Sequence, residues 1–371
     1  MKEIAIEDLE AGTAFNKPVY IDGENLLVPA KIELKEKDID RLRKWGIKKV
    51  LTDGEEIKKE KVEKKLEKKS DTDEDLLKCY EDVLDKMDSF FSDCRRGLRL
   101  NKKEIDEVMK EFYPHLLENP DEALILTTTT RECADRLSKP AVDNMILSTK
   151  MGLSVNLPPL QLVNIATGAL VHDVGMAKIP EDIIKKKGAL TPQEIETIKK
   201  HTVYAYRLLV KSMGFDPEVG RVAMSHHERW DGKGYPSGLT GSKIHIGGRI
   251  LSVTDAFIAM KSDRADRTSV IGYNAVRQIM NDNSRRFDPA VLKIFIKNVG
   301  IYPTGSIVIL NNNAIGKIKK VKSKAPLRPE LKIIVDENGK KPEKGNDLID
   351  LYENKDLFIT KAVDPRELNK R

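Results

Sequence analysis

Cysteine is scarce in this chain: Cys79, Cys94 and Cys133 are the only 3 in 371 residues, and no two form a CxxC pair. An odd number without paired spacing argues against a disulfide framework and against a thiolate-built metal site, so all three read as ordinary reduced cysteines. Long apolar runs are missing too. No stretch approaches the roughly 18 to 20 residues of a spanning helix, and the start, Met1-Lys2-Glu3-Ile4, lacks a signal-peptide core. With 33% charged and only 5% aromatic residues, the composition is that of a helix-rich cytoplasmic protein without a membrane span. Charge of one sign is not concentrated anywhere. The net charge is +6, but Lys and Arg are interleaved with Glu along the chain, so nucleic acid is not an expected partner, whereas a small anionic ligand is.

The length allows two or three compact units. Residues 1–54 alternate short apolar runs with turns (Phe15 to Tyr20, Asp22-Gly23, Leu26-Leu27-Val28), then a helical stretch reaching Trp45-Gly46 and the run Val50-Leu51. This predicts a small α+β module without a chemical motif, suited to positioning or to binding a signalling protein partner. Residues 55–72 are almost wholly Lys and Glu and read as a solvated linker. In 73–118, Leu76, Leu77, Tyr80, Val83, Leu84, Met87, Phe90 and Phe91 recur at helical spacing. Asn101 with Glu104 suggests a capping box before a second helix carrying Ile105, Val108, Met109 and Phe112. These stripes are expected in the core, with a homodimer seam as the other use. From 119 to 301 the pattern is helical, broken at Pro158-Pro159, Gly188, Gly214 and the glycine-rich 232–248 loop. In 302–371, Ile307 to Leu310, Ile315 to Val321, Leu331 to Val335 and Leu357 to Thr360 predict short strands of a small β-rich appendage.

Against that background the histidines stand out. The chain has 6, and four fall within one constellation: His172-Asp173, His201 and His226-His227, the last pair opening the run Glu228-Arg229-Trp230-Asp231-Gly232-Lys233-Gly234-Tyr235-Pro236. Adjacent His-Asp and His-His pairs suit a packed core poorly, because every buried imidazole or carboxylate needs its own partner. They suit a divalent cation, which takes their lone pairs and offsets the buried charge. Without thiolates, iron, manganese or zinc in an open site fits better than a closed structural zinc.

Ordered in this way, His172-Asp173, His201, His226-His227, Gly234-Tyr235-Pro236 and Asp255 closely resemble the HD-GYP family, metal-dependent phosphodiesterases that hydrolyse cyclic di-GMP. The resemblance implies a mainly α fold, an HD-type helical bundle flanked by the two small modules. It implies two divalent metal ions, iron or manganese, ligated by His172, Asp173, His201, His226, His227 and Asp255, with Asp173 as bridge and His172 and Asp173 as the catalytic pair. A hydroxide shared by the metals would attack cyclic di-GMP to give pGpG and, with further cleavage, GMP. Adjacent helical residues point about 100° apart, so His226 and His227 are expected to serve different tasks. Lys233, Gly234 and Tyr235 would border the substrate groove, and Arg264 and Arg267 would contact the dinucleotide.

The same resemblance marks departures. Pro140 stands where the family has its first metal-binding His, and Arg136 where some members carry an acidic ligand; Asp143, one turn along, is the candidate substitute. Met176 replaces the Lys of HD-x-G-K, expected to steady a phosphate oxygen, with Lys178 nearby but out of register as the substrate-binding candidate; Ile258 stands where Asp is usual, and Ala265-Asp266 replaces Pro-Tyr. These changes weaken one metal position while leaving Asp173, His201, His226 and His227 complete. Two other readings follow: an inactive relative that binds nucleotide or a partner protein, and a phosphohydrolase of another cyclic dinucleotide.

Overall fold

The helical spacing between residues 76 and 91 is realised as one long helix, and its apolar side is spent inside the chain. The structure is a computed structural model and describes residues 2–9, 13, 15–21, 26–28, 34, 39, 42–43, 47, 49–55, 69–98, 100–129, 138–261, 272–342 and 347–363. Helix α1 (Lys69–Arg95) buries Leu76, Tyr80, Val83, Leu84, Met87, Phe90 and Phe91, and the chain then turns at Gly97 with φ of 71°. Asn101 caps α2 (Lys102–Glu118) by accepting from the Lys103 amide at 3.1 Å, so the expected capping box with Glu104 is a simple N-cap. Ile105, Val108, Phe112 and Leu116 of α2 join the α1 stripe in one core with Val142, Met145, Leu170, Val171 and Val174. Each large apolar side chain so buried contributes about 1.5–3 kcal/mol. The stripes therefore fasten residues 73–118 to the helical unit that follows.

That unit continues through α3 (Pro120–Thr129), α4 (Ser138–Ser154) and α5 (Pro159–Val171). A 3-10 turn (Val174–Lys178) precedes α6 (Glu181–Ile184), α7 (Pro192–Lys199) and α8 (His201–Tyr206), which runs into a π-helical turn at Arg207–Ser212. Next come α9 (Pro217–Ser225), α10 (Ile246–Lys261), α11 (Gly272–Asn281) and α12 (Pro289–Val299). Pro159, Pro192, Pro217 and Pro289 occupy first-turn positions, where the missing amide hydrogen costs nothing. A second core of Leu147, Ile165, Val222, Ile250, Val253, Phe257 and Phe295 locks α4, α5, α9, α10 and α12 together. The ends of α5 and α9 and the start of α8 carry His172, His226 and His201.

At the amino end, β1 (Lys2–Ala5), β2 (Val19–Tyr20), β3 (Leu26–Val28) and β4 (Lys49–Thr52) form an antiparallel sheet in the order β1-β4-β2-β3 over a separate core of Val19, Leu34, Leu42 and Val50. At the carboxy end, β5 (Ile307–Leu310), β6 (Ile315–Lys320), β7 (Glu330–Val335), β8 (Leu348–Asp350) and β9 (Ile359–Val363) make an antiparallel sheet ordered β8-β7-β6-β5-β9. The mainly helical class with a β-containing module at each end agrees with the sequence expectation. Strand β8 escaped it: three residues at a sheet edge, with Leu348 exposed, carry no alternation to read. Most of the charged 55–72 run lies outside the described residues, but its last four residues begin α1. Among the described residues no helix is long and apolar enough to cross a membrane.

Candidate metal centre

The centre is assembled where the carboxy ends of α5 and α9 meet the start of α8 and the middle of α10. His172 follows α5 directly, and Asp173 opens the 3-10 turn. This turn lies so close to α8 that a Cβ on Gly175 would come within 1.9 Å of the His201 carbonyl oxygen, leaving room only for hydrogen. The glycine therefore sets the distance between Asp173 and His201. His226 caps α9 and His227 lies in the turn beyond it. The two imidazoles nevertheless lie together: their ring centroids are 3.9 Å apart and both contribute ligand atoms to the centre.

Three imidazoles are oriented by one device. The Nδ1 atoms of His172, His201 and His226 lie 2.8, 2.7 and 2.6 Å from the carbonyl oxygens of Ala169, Ile198 and Ala223, each three residues back. A carbonyl only accepts, so Nδ1 carries the proton and, in the neutral ring, Nε2 is left with a lone pair. All three Nε2 atoms are buried and have no hydrogen-bond partner. Such atoms are costly unless a cation takes their lone pairs, so the donor set fits a divalent metal.

Asp173 lies between them. Its Oδ2 is 3.3 Å from His172 Nε2, while its Oδ1 is 3.5 Å from His201 Nε2 and 3.9 Å from His226 Nε2. One carboxylate oxygen thus faces each half of the site, the disposition of a bridge. Asp255 Oδ1 stands 3.7 Å from His172 Nε2. Ligand atoms of His201, His226 and His227 gather within 4.8 Å of one another, as do those of His172, Asp173 and His226. The six residues singled out in the sequence are therefore brought together.

The electrostatics follow from burial and crowding. Partial desolvation opposes ionisation of the half-exposed Asp173, yet His172, His201 and His226 hold its carboxyl well below the usual range. Asp255 is likewise opposed by burial but lowered to about 2, mainly by His172. Burial disfavours a charged His172, but Asp173 and Asp255 outweigh it and hold that imidazole well above the ordinary value. Burial and the neighbouring imidazoles push His226 well down, and burial takes His227 down to about 4. Two carboxylates and four imidazoles in one cleft leave acceptor capacity in excess of protons.

The glycine-rich loop forms one wall. Buried Glu228 accepts from the amides of Ser237 at 2.7 Å and Leu239 at 3.0 Å, fixing the far side of the turn. A Cβ on Gly234 would lie 2.3 Å from the Arg229 amide nitrogen, so the turn folds back on residues 227–229 only with glycine there. That return sets the Tyr235 ring 4.8 Å from the His227 ring, with Lys199 Nζ 5.7 Å from the Tyr235 centroid. Lys233 is exposed, and its amide donates to Asp231, itself bound in bidentate fashion by Arg229 at 3.0 and 2.8 Å.

Other expected residues lie elsewhere. Asp143 does not reach the centre as a ligand: its Oδ1 accepts from Tyr80 Oη at 2.8 Å and its Oδ2 from Lys139 Nζ at 2.6 Å. Lys178 is exposed at the end of the 3-10 turn, where its charge bears on Cys94. Arg136, Arg264, Ala265, Asp266 and Arg267 lie outside the described residues. Sequence reasoning missed Asn144, fully buried on α4, whose amide is 3.4 Å from Asp255 Oδ1. Its only signal was an uncharged polar residue inside an apolar helical run. Lys199, two residues before His201, was missed for want of any reason to place it beside Tyr235.

The HD domain family matches residues 118–291, and a KOW domain associated with HD domains matches 307–371. A cyclic di-GMP phosphodiesterase, PdeB, of Borreliella burgdorferi is 26% identical over 331 residues, covering 88% of this chain and 86% of that protein. A cyclic di-GMP phosphodiesterase of Pseudomonas aeruginosa is 28% identical over 254 residues, covering 68% of this chain and 61% of that one. Among solved structures, Bd1817, a HDG"Y"P protein from Bdellovibrio bacteriovorus, superposes with a TM-score of 0.50 at 14% identity over 79% of this chain and 97% of that one, a likeness of fold.

Proposed function

We propose that this chain, which matches the HD domain over residues 118–291, is a metal-dependent phosphodiesterase of the HD-GYP kind, opening cyclic di-GMP to pGpG, with GMP as the product of a second cleavage. The observation that carries this reading is the convergence of the three buried Nε2 atoms of His172, His201 and His226 on the two oxygens of Asp173. His201, His226 and His227 with one oxygen of Asp173 would hold one ion; His172, Asp255 and the other oxygen would hold a second. Oxygen and imidazole donors without sulfur suit iron or manganese. Bound there, divalent ions would supply Lewis acidity toward a phosphoryl oxygen and a nucleophile at neutral pH.

The chain's own residues do the rest. The backbone carbonyls behind His172, His201 and His226 keep the imidazoles in the tautomer that leaves Nε2 available. Tyr235 presents a partly exposed ring along the cleft, a surface on which a guanine can stack, with Lys199 and Lys233 at the rim to meet phosphate. Arg264 and Arg267 are assigned to the dinucleotide by the family pattern alone, and the exposed Lys178 is kept with them as a candidate contact to phosphate. Residues 1–54 we assign to positioning or partner binding. A homodimer through 73–118 would have to use the outward polar faces of α1 and α2, since their apolar stripes are buried.

A second reading, nucleotide binding without turnover, is favoured by one observation: Tyr80 and Lys139 hold Asp143 away from the centre, so α4 offers no imidazole or carboxylate in place of the family's first His. Incubating iron- or manganese-loaded protein with cyclic di-GMP, and separately with another cyclic dinucleotide, separates the readings by chromatography. Appearance of pGpG from cyclic di-GMP, lost in Asp173→Ala, is the expected result. Nucleotide bound but recovered intact would support the second reading.

A further inference from the structure

The position beside Asp255 is short of a ligand, and the residue that reaches it from α4 is Asn144. Its side chain is fully buried, one helical turn beyond Pro140. The amide nitrogen lies 3.4 Å from Asp255 Oδ1, a long hydrogen bond, and the same Asp255 oxygen is 3.7 Å from the unpartnered His172 Nε2. Two atoms each about 2.1 Å from a hard divalent cation, and at right angles about it, are about 3 Å apart. The amide, the carboxylate and the imidazole therefore border one position at nearly the spacing of neighbouring ligands.

The surrounding hydroxyls allow the amide to present either end. With nitrogen toward Asp255, Asn144 Oδ1 accepts from Thr254 Oγ1 at 2.8 Å. Thr254 has a second outlet for its single proton, the Leu251 carbonyl at 3.2 Å, and Ser148 Oγ lies 3.1 Å from the same hydroxyl. If the amide turns over, its nitrogen donates to Thr254 Oγ1 and Thr254 donates to Leu251, so the Asn144 nitrogen and the Thr254 hydroxyl each keep a partner. Amide oxygen against a bare carboxylate is repulsive; against a carboxylate sharing a cation it is favourable. Which end faces Asp255 thus depends on whether a cation is there.

We infer that Asn144 Oδ1 is an oxygen ligand to the cation held by His172, Asp173 and Asp255, standing in for the imidazole absent at Pro140. The inference rests on the metal-site reading above and concerns which residue completes it. A carboxamide oxygen adds a hard, neutral donor, so the completed position favours manganese or iron(II) over softer ions and binds less tightly than one with a further imidazole.

Isothermal titration of the metal-free full chain with manganese tests this directly, with far-UV circular dichroism on each variant. The wild type is expected to show two classes of site. In Asn144→Ala the tight class persists and the second weakens about tenfold or more; in Asn144→Asp, where a carboxylate oxygen replaces the amide oxygen, the second class is retained or tightened. Identical isotherms for wild type and Asn144→Ala would overturn the inference. So would loss of the second class in a folded Asn144→Asp, because that marks a donor to Asp255 and not a ligand. If Asn144→Ala does not fold, the Asn144→Asp isotherm decides alone. A wild type that takes up no manganese at all would refute the metal site itself, and this ligand with it.

Discussion

His227 and His245 show how single residues set the pH range of the protein. Burial lowers both to about 4 from 6.5, with the Arg221 and Arg249 charges adding to the effect at His245. Between those values the unfolded chain binds protons that the folded protein refuses, so folded stability rises with pH across the window and is lost on acidification. The metal-free protein should therefore unfold at progressively lower temperature from pH 6.5 down to 4. His245→Gln, which keeps a hydrogen-bonding group beside Glu218 Oε2, should flatten part of that slope in a calorimetric series; an unchanged slope would remove His245 from the account. At the same scale, Asp173→Ala deletes the carboxylate on which both halves of the centre converge. It should abolish metal uptake measured by elemental analysis while leaving the helical circular dichroism spectrum intact.

At the scale of elements, close approach matters more than any side chain. Gly175 lets the 3-10 turn rest on the His201 carbonyl, and a methyl there meets backbone that cannot move without carrying His201 with it. Gly175→Ala should cost about 1–3 kcal/mol in denaturant unfolding, as overpacking does, and should lower metal content by separating Asp173 from His201. Wild-type stability and metal content in that variant would mean the turn tolerates displacement. Tyr80→Phe should cost about 1 kcal/mol, because Asp143 would keep Lys139 but lose its second donor.

These two cases also mark what the sequence could disclose. The candidate ligand residues stood out because histidine is rare here and adjacent titratable pairs have few uses in a core, and α1 was legible because its apolar positions repeat at helical spacing. The role of Gly175 was not, since it depends on a contact 26 residues away in the chain. Nor was the fate of Asp143: its helical offset suited a ligand, but α1, far off in sequence, supplies Tyr80 and captures it. Asn144 was hidden for the same reason, its meaning resting on Asp255 across the bundle.

For the whole molecule, the candidate ligands hang from the ends of α5 and α9, the start of α8 and the middle of α10, elements held together by two apolar cores. A cation bound among them ties those elements in the folded state and finds no such set in the unfolded chain. Metal should therefore stabilise the bundle by about 2.7 kcal/mol at a free concentration one hundred times its dissociation constant, seen as a rise in melting temperature that a chelator reverses. The amino- and carboxy-terminal modules, each with a core of its own, supply none of the candidate ligands. The most direct test of metal-dependent hydrolysis at this centre is a titration of the metal-free full chain with manganese, following pGpG released from cyclic di-GMP at each step. The account predicts no product without metal and a rate that climbs until both positions are filled, near two equivalents per chain. Product formed equally well in excess chelator, or none at any manganese concentration with cyclic di-GMP still bound, would contradict it.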